Sequence, residues 1–489
     1  MNDTRKLLNR IAEFRQRLEA MPRLVPSVLE RVHEPALDKP KPVAVEAGTR
    51  TQAILEESLR QLSGAPASSP AALSNRARRL LVDAQGLMTR LRIIADDPLL
   101  AGPPPSAQTD GADPLAVHFR ETASMTEAAV RYALTMPDSA DEQMRLCEGL
   151  EGMIDAARRR FEMLASTLER RRCENARIDT LTRFLCNLDS GNGPLDPSPL
   201  MSLADELLNE ELGRPLRFAT VSPQETQAFL GSEKFPAPAR FVAMHSLNCA
   251  CVAARLVQHD PEWRLQARDV VLAALLHDVG MLRIDPAFLA HETKWDHEQR
   301  RAIEFHARSG AERILMRLPG LSGLAGVATG HHERADGSGY PAGLHSDQVS
   351  PLTRLIAAID VYVAMCSGRP HREPLDSRAA LTDVLLMGEA GTLDRMATDK
   401  LLSLGLYPSG SVVELSDGST AVVLTARDPR GEMQKATKPQ VALLADPSGR
   451  ALANPRFMDL AGANCGNVIR ALSVHDRLQR LGRSYPEWA

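Results

Sequence analysis

The stretch GHHERADGSGYPAGL, Gly330 to Leu344, decides how this chain is read. It sets two adjacent histidines beside Glu333 and Asp336, then turns through Gly337, Gly339, Tyr340 and Pro341. Imidazole and carboxylate are natural ligands of borderline and hard cations. Two glycines followed by proline supply unusual backbone angles and a fixed exit, so a tight loop is expected beside the histidine pair. Glu333 and Asp336 fit either of two roles, acceptors that orient the histidines or local caps of the loop. A histidine pair alone has a bland explanation, so the question is whether other segments supply partners.

They do. Ten of the thirteen histidines lie between His245 and His371. His245, in RFVAMHSLNCACVAARL, shares a helical face with Phe241, Val242, Cys249 and Val252, and that spacing turns it toward a core. His277 and Asp278 end the apolar run of VVLAALLHDVGML. His306 shares a face with Ile303, Ala307, Gly310 and Ile314, and Asp360 shares one with Ile356, Val363 and Ala364. An acid buried beside a histidine is costly unless something compensates its charge, and a cation does. One inward histidine is unremarkable. Seven ligand-type residues on successive apolar helices (His245, His277, Asp278, His306, His331, His332 and Asp360) predict a metal centre. The set contains no cysteine, which favours iron or manganese, with magnesium, nickel or zinc as alternatives, over a structural zinc site. Successive helical residues diverge by about 100°, so His277 can face one ion while Asp278 reaches between two. Such a pair of ions suits phosphoester hydrolysis.

The order His…His-Asp…His…His-His…Asp, together with HHERADGSGYP, resembles the HD-GYP family of metal-dependent phosphodiesterases, within the HD-domain phosphohydrolases. The likeness covers roughly residues 200–404, and the HHExxDGxGYP signature is complete. It implies an all-α helical bundle, two divalent metal ions, and a cyclic dinucleotide substrate, usually cyclic di-GMP cut to linear pGpG. It implies that His245, His277, Asp278, His306, His331, His332 and Asp360 are metal ligands, with Asp278 the bridging and catalytic one. Gly337, Gly339 and Pro341 would shape the loop, and Tyr340 would line the substrate pocket. Arg369 and Arg372, in CSGRPHREPL, match positions that contact nucleotide phosphates in similar proteins, a role suited to planar, always-charged guanidinium.

Two departures from the family pattern stand out. Met281 occupies the position after HD-x-G where lysine is common, which shifts phosphate binding onto Arg369, Arg372 and the metals. Phe241 stands four residues before the first histidine, where some relatives carry a glutamate for a third metal, so two ions and a pGpG product are expected. A binding module without turnover and a phosphohydrolase of another nucleotide are the competing readings.

The rest of the chain sets limits. At 489 residues it holds about three domains by length. With 44% hydrophobic and only 4% aromatic residues it reads as mainly α. A net charge of −4 without a basic domain argues against polymeric nucleic acid as partner. Seven irregularly spaced cysteines fit a reducing, cytoplasmic setting. No run of 18 apolar residues predicts a membrane span.

The expected organisation is a helical N-terminal region over 1–195, a phosphohydrolase domain over 196–404, and a small β-module with a tail over 405–489. Within the first region the segments 34–48, 63–72 and 96–114 read as linkers rich in Pro, Ala, Gly and Ser. Helical patterns cover Asn75–Ala95 and a long stretch from near Ser139, where Ser139 and Glu142 fit a capping box. The apolar stripe through Leu150, Ile154, Phe161, Leu164, Leu168, Leu181, Phe184 and Leu188 is expected to pack against another helix of the same chain, with a helical hairpin or homodimer seam as the alternative. DSGNGPLDPSP, Asp189 to Pro199, ends that region. SVVELSDGSTAVVLTA reads as a hairpin across Asp417-Gly418, and QVALLADPSGRAL as a third strand and turn. The arginine runs 158–160 and 170–172 read as solvated helix faces.

Overall fold

The computed structural model describes residues 75–97, 114–133, 140–210, 216, 218, 239–285, 296–367, 374–425, 438–462, 466–481, 485 and 488. The linkers at 34–48 and 63–72, most of 96–114, the Ser139 cap, and Arg369 and Arg372 lie outside them. The described chain falls into two units, divided between Arg172 and Cys173.

In the first unit, α1 (Asn75–Ala95) and α2 (Pro114–Ala133) pack with the first part of α3 (Ala140–Ser190). Leu87, Leu91, Leu115, Phe119, Leu164 and Leu168 form its core. The arginine runs stay largely at the surface and pair locally, Arg158 with Asp155 and Arg172 with Glu169.

The second unit begins with the remainder of α3, whose Leu181, Phe184 and Leu188 are buried. It continues with α4 (Ser198–Glu210), α5 (Ala239–His259), α6 (Ala267–Leu276), α7 (His297–Arg317), α8 (Ala325–Gly330), α9 (Pro351–Cys366), α10 (Ser377–Glu389) and α11 (Arg395–Lys400). Helices α5, α6 and α9 supply the centre of one core, with Val252, Leu272, Leu275, Ile356 and Ile359 all buried. Each such side chain contributes about 1.5–3 kcal/mol through burial. Helix α5 is long and apolar enough over Ala239–Gln258 to cross a bilayer, but 78% of that window is buried in this core, which accounts for its composition.

Local sequence signals place the helix ends. Asp296 caps α7 by accepting the Glu298 and Gln299 amides, and Gln299 reaches back to the Asp296 amide. Ser350 caps α9, with Pro351 in the first turn. Arg317, buried at the end of α7, donates to the carbonyls of Gly193 and Leu188, so the stretch after α3 is tied to α7.

After α11 the chain forms a five-stranded antiparallel sheet in the order β4-β3-β2-β1-β5. The strands are β1 (Val412–Leu415), β2 (Thr420–Thr425), β3 (Gln440–Ala445), β4 (Ala451–Asp459) and β5 (Val468–Ala471). The expected hairpin turns at Gly418. One face, carrying Val413, Leu415, Ala421, Val423 and Val441, joins the helical core. The other, carrying Val412, Val422, Ala442 and Leu444, packs with Leu481 of α12 (Val474–Leu481) and with Tyr485. Burial on both faces explains why the strands read as apolar runs rather than alternating ones. The fold is mainly α with a small C-terminal β-module, as the composition implies.

One close approach positions the ligand-bearing segments. The 3₁₀ turn after Asp278 (Val279–Arg283) lies against α7 so closely that a Cβ on Gly280 would meet the His306 carbonyl oxygen at 2.0 Å and the Gly310 nitrogen at 2.8 Å. Both obstacles are backbone and have little room to yield. Gly280→Ala is therefore expected to destabilise the protein by about 1–3 kcal/mol or more. Gly86→Ala, where a Cβ meets nothing within 4 Å inside α1, is expected to stabilise by about 0.5–1 kcal/mol. Denaturant titration of both variants measures the contrast, and equal effects would contradict it.

Candidate metal centre

The ligand-type residues come from the ends and inner faces of five helical segments. His245 lies on the buried face of α5, and His306 on that of α7. His277 is the residue after α6, and His331 the residue after α8. Asp360 projects from the last part of α9. The sequence reading set His277 and Asp278 one helical step apart; in the structure the helix has ended, and Asp278 sits at φ −105°, ψ 11° ahead of the 3₁₀ turn.

Three imidazoles are held by one device. His277 Nδ1 lies 2.8 Å from the Ala274 carbonyl, His306 Nδ1 2.5 Å from that of Ile303, and His331 Nδ1 3.0 Å from that of Ala328. A carbonyl only accepts, so each Nδ1 carries the proton and each Nε2 presents its lone pair inward. The Nε2 atoms of His306 and His331 stand 3.4 Å apart. His277 Nε2 is buried and has no hydrogen-bond partner. Lone pairs facing one another in a dry interior repel unless a cation lies among them.

The Asp278 carboxylate stands at the centre and divides its two oxygens. Oδ1 is 3.4 Å from His306 Nε2 and 3.5 Å from His331 Nε2. Oδ2 is 3.7 Å from His277 Nε2 and 4.0 Å from His245 Nε2. Asp360 Oδ1 lies 2.9 Å from His245 Nε2. Two pockets result. One groups His245, Cys249, His277 and Asp360, the other Asp278, His306, His331 and His332, and within each the donor atoms lie within 4.8 Å of one another. All seven residues singled out in the sequence are thus brought together. Orphaned inward lone pairs, two ionised carboxylates and the oxygen–nitrogen donor set fit divalent cations.

The electrostatics suit that use. Burial, with repulsion from His331, outweighs the attraction of Asp278 and pushes His277 down to about 4. Burial likewise lowers His306 and His332. His245 moves the other way: burial opposes its charge, but Cys249 and the Asp360 carboxylate outweigh burial and raise it. Burial opposes the charge of Asp278 and of Asp360, yet the surrounding histidines, His277 first for Asp278 and His245 first for Asp360, hold both below the usual carboxylate range.

The loop after His332 is built as its glycines and proline suggest. Gly337 has φ +79°, which an L side chain rarely adopts. A Cβ on Gly339 would meet the Arg334 nitrogen and the His332 carbonyl oxygen, both at 2.4 Å. The Tyr340–Pro341 peptide is cis. Glu333, left open between two roles, accepts the amides of Ala342 (2.8 Å) and Leu344 (2.9 Å). Asp336 accepts the amide and hydroxyl of Ser338. Both therefore shape the loop. The loop sets the Tyr340 ring 4.7 Å from that of His332, and burial raises the Tyr340 phenol, which stays protonated.

Two participants escaped the sequence reading. Gly280 is one: its backbone lies against His306 and Gly310 of α7, which places the neighbouring Asp278 close to His306. Cys249 was placed on the His245 face but not counted as a donor; its Sγ lies 3.7 Å from His245 Nε2. Its i+4 spacing from His245 was the available signal. Met281 and Phe241 both pack against the core as partly buried apolar groups.

Residues 235–396 match a family model described as an HD domain. The 3′3′-cGAMP-specific phosphodiesterase 3 of Vibrio cholerae is 40% identical over 113 residues, 23% of this chain and 24% of that protein. A cyclic di-GMP phosphodiesterase of Pseudomonas aeruginosa is 30% identical over 236 residues, 47% of this chain and 53% of that protein. A cyclic di-GMP phosphodiesterase response regulator of Xanthomonas campestris pv. campestris is 33% identical over 144 residues, 28% of this chain and 36% of that protein. The matched stretches thus span about a quarter to a half of these relatives. The helical core and its His-Asp cluster define an HD domain. The complete HHExxDGxGYP signature, whose likeness is to the HD-GYP family, lies on the loop beside that cluster.

The lowered histidines give a pH dependence whose sign can be worked out. Between pH 6.5 and about 4 the unfolded chain protonates His277 and the folded one does not. His306 and His332 act with the same sign. His245, raised in the folded state, acts with the opposite sign near and above pH 6.5 and adds little slope well below it. Metal-free protein should therefore lose stability as pH falls through this window, by about 1.4 kcal/mol per pH unit for each extra proton bound on unfolding. Urea midpoints in the presence of chelator at pH 7, 6 and 5 measure it; a flat profile would contradict the neutral, buried state of these rings.

Proposed function

We propose that this chain is a metal-dependent phosphodiesterase that hydrolyses a cyclic dinucleotide, with cyclic di-GMP as substrate and linear pGpG as product. The supporting observation is the division of Asp278: one oxygen faces His306 and His331, the other His277 and His245. A carboxylate shared in this way suits two divalent ions, iron or manganese by the oxygen and nitrogen donors. His245, His277 and Asp360 would hold one ion, and His306, His331 and His332 the other. Bound there, the ions supply Lewis acidity and lower the pKa of water, as phosphoester hydrolysis requires.

The remaining work belongs to the chain. The Nδ1 hydrogens of His277, His306 and His331 stay on backbone carbonyls, which fixes the rings throughout. Tyr340, with a protonated phenol beside His332, lines the substrate side and offers a ring face to a base and a hydroxyl to a phosphate. Arg369 and Arg372 are assigned to the substrate phosphates by their place in the motif. Because Met281 contributes no charge, these arginines carry more of the anion binding than in relatives with lysine there. Relatives specific for 3′3′-cGAMP make the choice of base the first thing to test.

Asp278→Ala should lose bound metal and turnover together. Partners of ligands cost about 10–100-fold when removed, so a shared ligand should cost at least about a hundredfold. Protein loaded with metal under anaerobic conditions is assayed against cyclic di-GMP, 3′3′-cGAMP and linear phosphodiesters, with products separated by chromatography. Ranking by kcat/KM assigns the substrate. Tight nucleotide binding without product would replace the enzyme by a binding module, and full activity in Asp278→Ala would refute the bridging role.

A further inference from the structure

We propose that Cys249 Sγ is a further ligand of the pocket formed by His245, His277 and Asp360, making that pocket softer than its neighbour. The inference rests on the reading of the cluster as a metal centre. It begins with spacing: Cys249 follows His245 by one helical turn on α5, so both side chains leave the same face. Cys249 Sγ, the two imidazole nitrogens and the Asp360 oxygen lie within 4.8 Å of one another.

The separations are those of groups sharing one ion. Nitrogen binds at about 2.0–2.1 Å and thiolate sulfur at about 2.3 Å, which at a tetrahedral angle places the two donors roughly 3.5 Å apart. The observed Sγ–Nε2 distance to His245 is 3.7 Å. A second observation is independent of the cysteine. His277 Nε2, on a fully buried side chain in the same group, has no hydrogen-bond partner. Phe241, one turn before His245, brings no donor, so on this face of α5 the extra donor is sulfur and not carboxylate.

The burial of Cys249 is not itself the argument, because free cysteine is commonly buried. Coordination forms a sulfur–metal bond, and the thiol proton passes to solvent buffer, so the step balances without an oxidant. Soft thiolate favours iron and zinc over magnesium. The two pockets would then differ in kind, one His-Cys-Asp and the other all imidazole, sharing only Asp278.

Cobalt(II) added anaerobically to the metal-free full chain supplies the test, because a thiolate ligand gives a near-ultraviolet charge-transfer band that nitrogen and oxygen ligands do not. Wild-type protein should show the band. Cys249→Val should lose it, and Cys251→Ala should keep it, with bound cobalt measured by elemental analysis in each. Cobalt bound to wild type without the band, or a band surviving in Cys249→Val, overturns the proposal and leaves the dinuclear reading standing. Failure to bind cobalt at all overturns both. Should Cys249→Val not fold, X-ray absorption on the wild-type cobalt protein decides: a sulfur neighbour at about 2.3 Å supports the proposal, and a shell of nitrogen and oxygen alone ends it.

Discussion

The structure depends on a single carboxylate, Asp278, held largely out of solvent among four imidazoles. Taking a charge out of water is expensive unless it is paired and hydrogen-bonded. Three of the four imidazoles are fixed with lone pairs inward by their Nδ1–H bonds to backbone carbonyls. Two of those bonds lie where helices end, after α6 and after α8, and there carbonyls lack intrahelical partners. The helix ends thus do two things: they satisfy their own last turn and they set the tautomer of an inward-facing imidazole. An arrangement that gathers negative charge and lone pairs at one point favours positive charge among them.

The backbone has to be brought close for this to happen, and side-chain packing alone does not do it. The turn after Asp278 meets α7 through Gly280 against the His306 carbonyl and Gly310. That contact fixes the distance from Asp278 to His306. On the far side, the loop after His332 is closed by Glu333, which holds the Ala342 and Leu344 amides. A buried carboxylate accepting two amides resists displacement, so the Tyr340 ring keeps its place beside His332. Rigid elements therefore meet the cluster from both sides, as a site needing donor atoms within a few tenths of an ångström requires.

Much of this was legible in the sequence, for a physical reason. A histidine or aspartate at a position whose helical neighbours are Val, Ile and Ala announces itself by breaking the apolar pattern, and His245, His306 and Asp360 did so. The hairpin at Gly418 was equally plain, since a turn between two β-branched runs is a local signal. Other features were not local. Gly280 is informative only through what lies across from it, and nothing near it in sequence names Gly310. The role of Glu333 could not be chosen, because its partners lie nine and eleven residues on, across a cis peptide. Strand β5 was missed because VIRA is short and earns its place by pairing with β1. Cys249 was read as an apolar residue because its face was apolar, although the same face carried His245.

The two pockets differ before any ion enters. Around His306 and His332 burial opposes the charged ring, and the Nε2 atoms of His306 and His331 face one another at 3.4 Å. Around His245 the Nε2 atom is engaged with Asp360 at 2.9 Å, and its pKa is raised. In that pocket a proton occupies the place between imidazole and carboxylate that a metal would take. The Asp278 carboxylate reaches toward both: its Oδ1 faces His306 and His331, and its Oδ2 faces His277 and His245. The asymmetry follows from which imidazole nitrogen has a carbonyl to bind and which has a carboxylate, a difference fixed when α5 and α9 pack together.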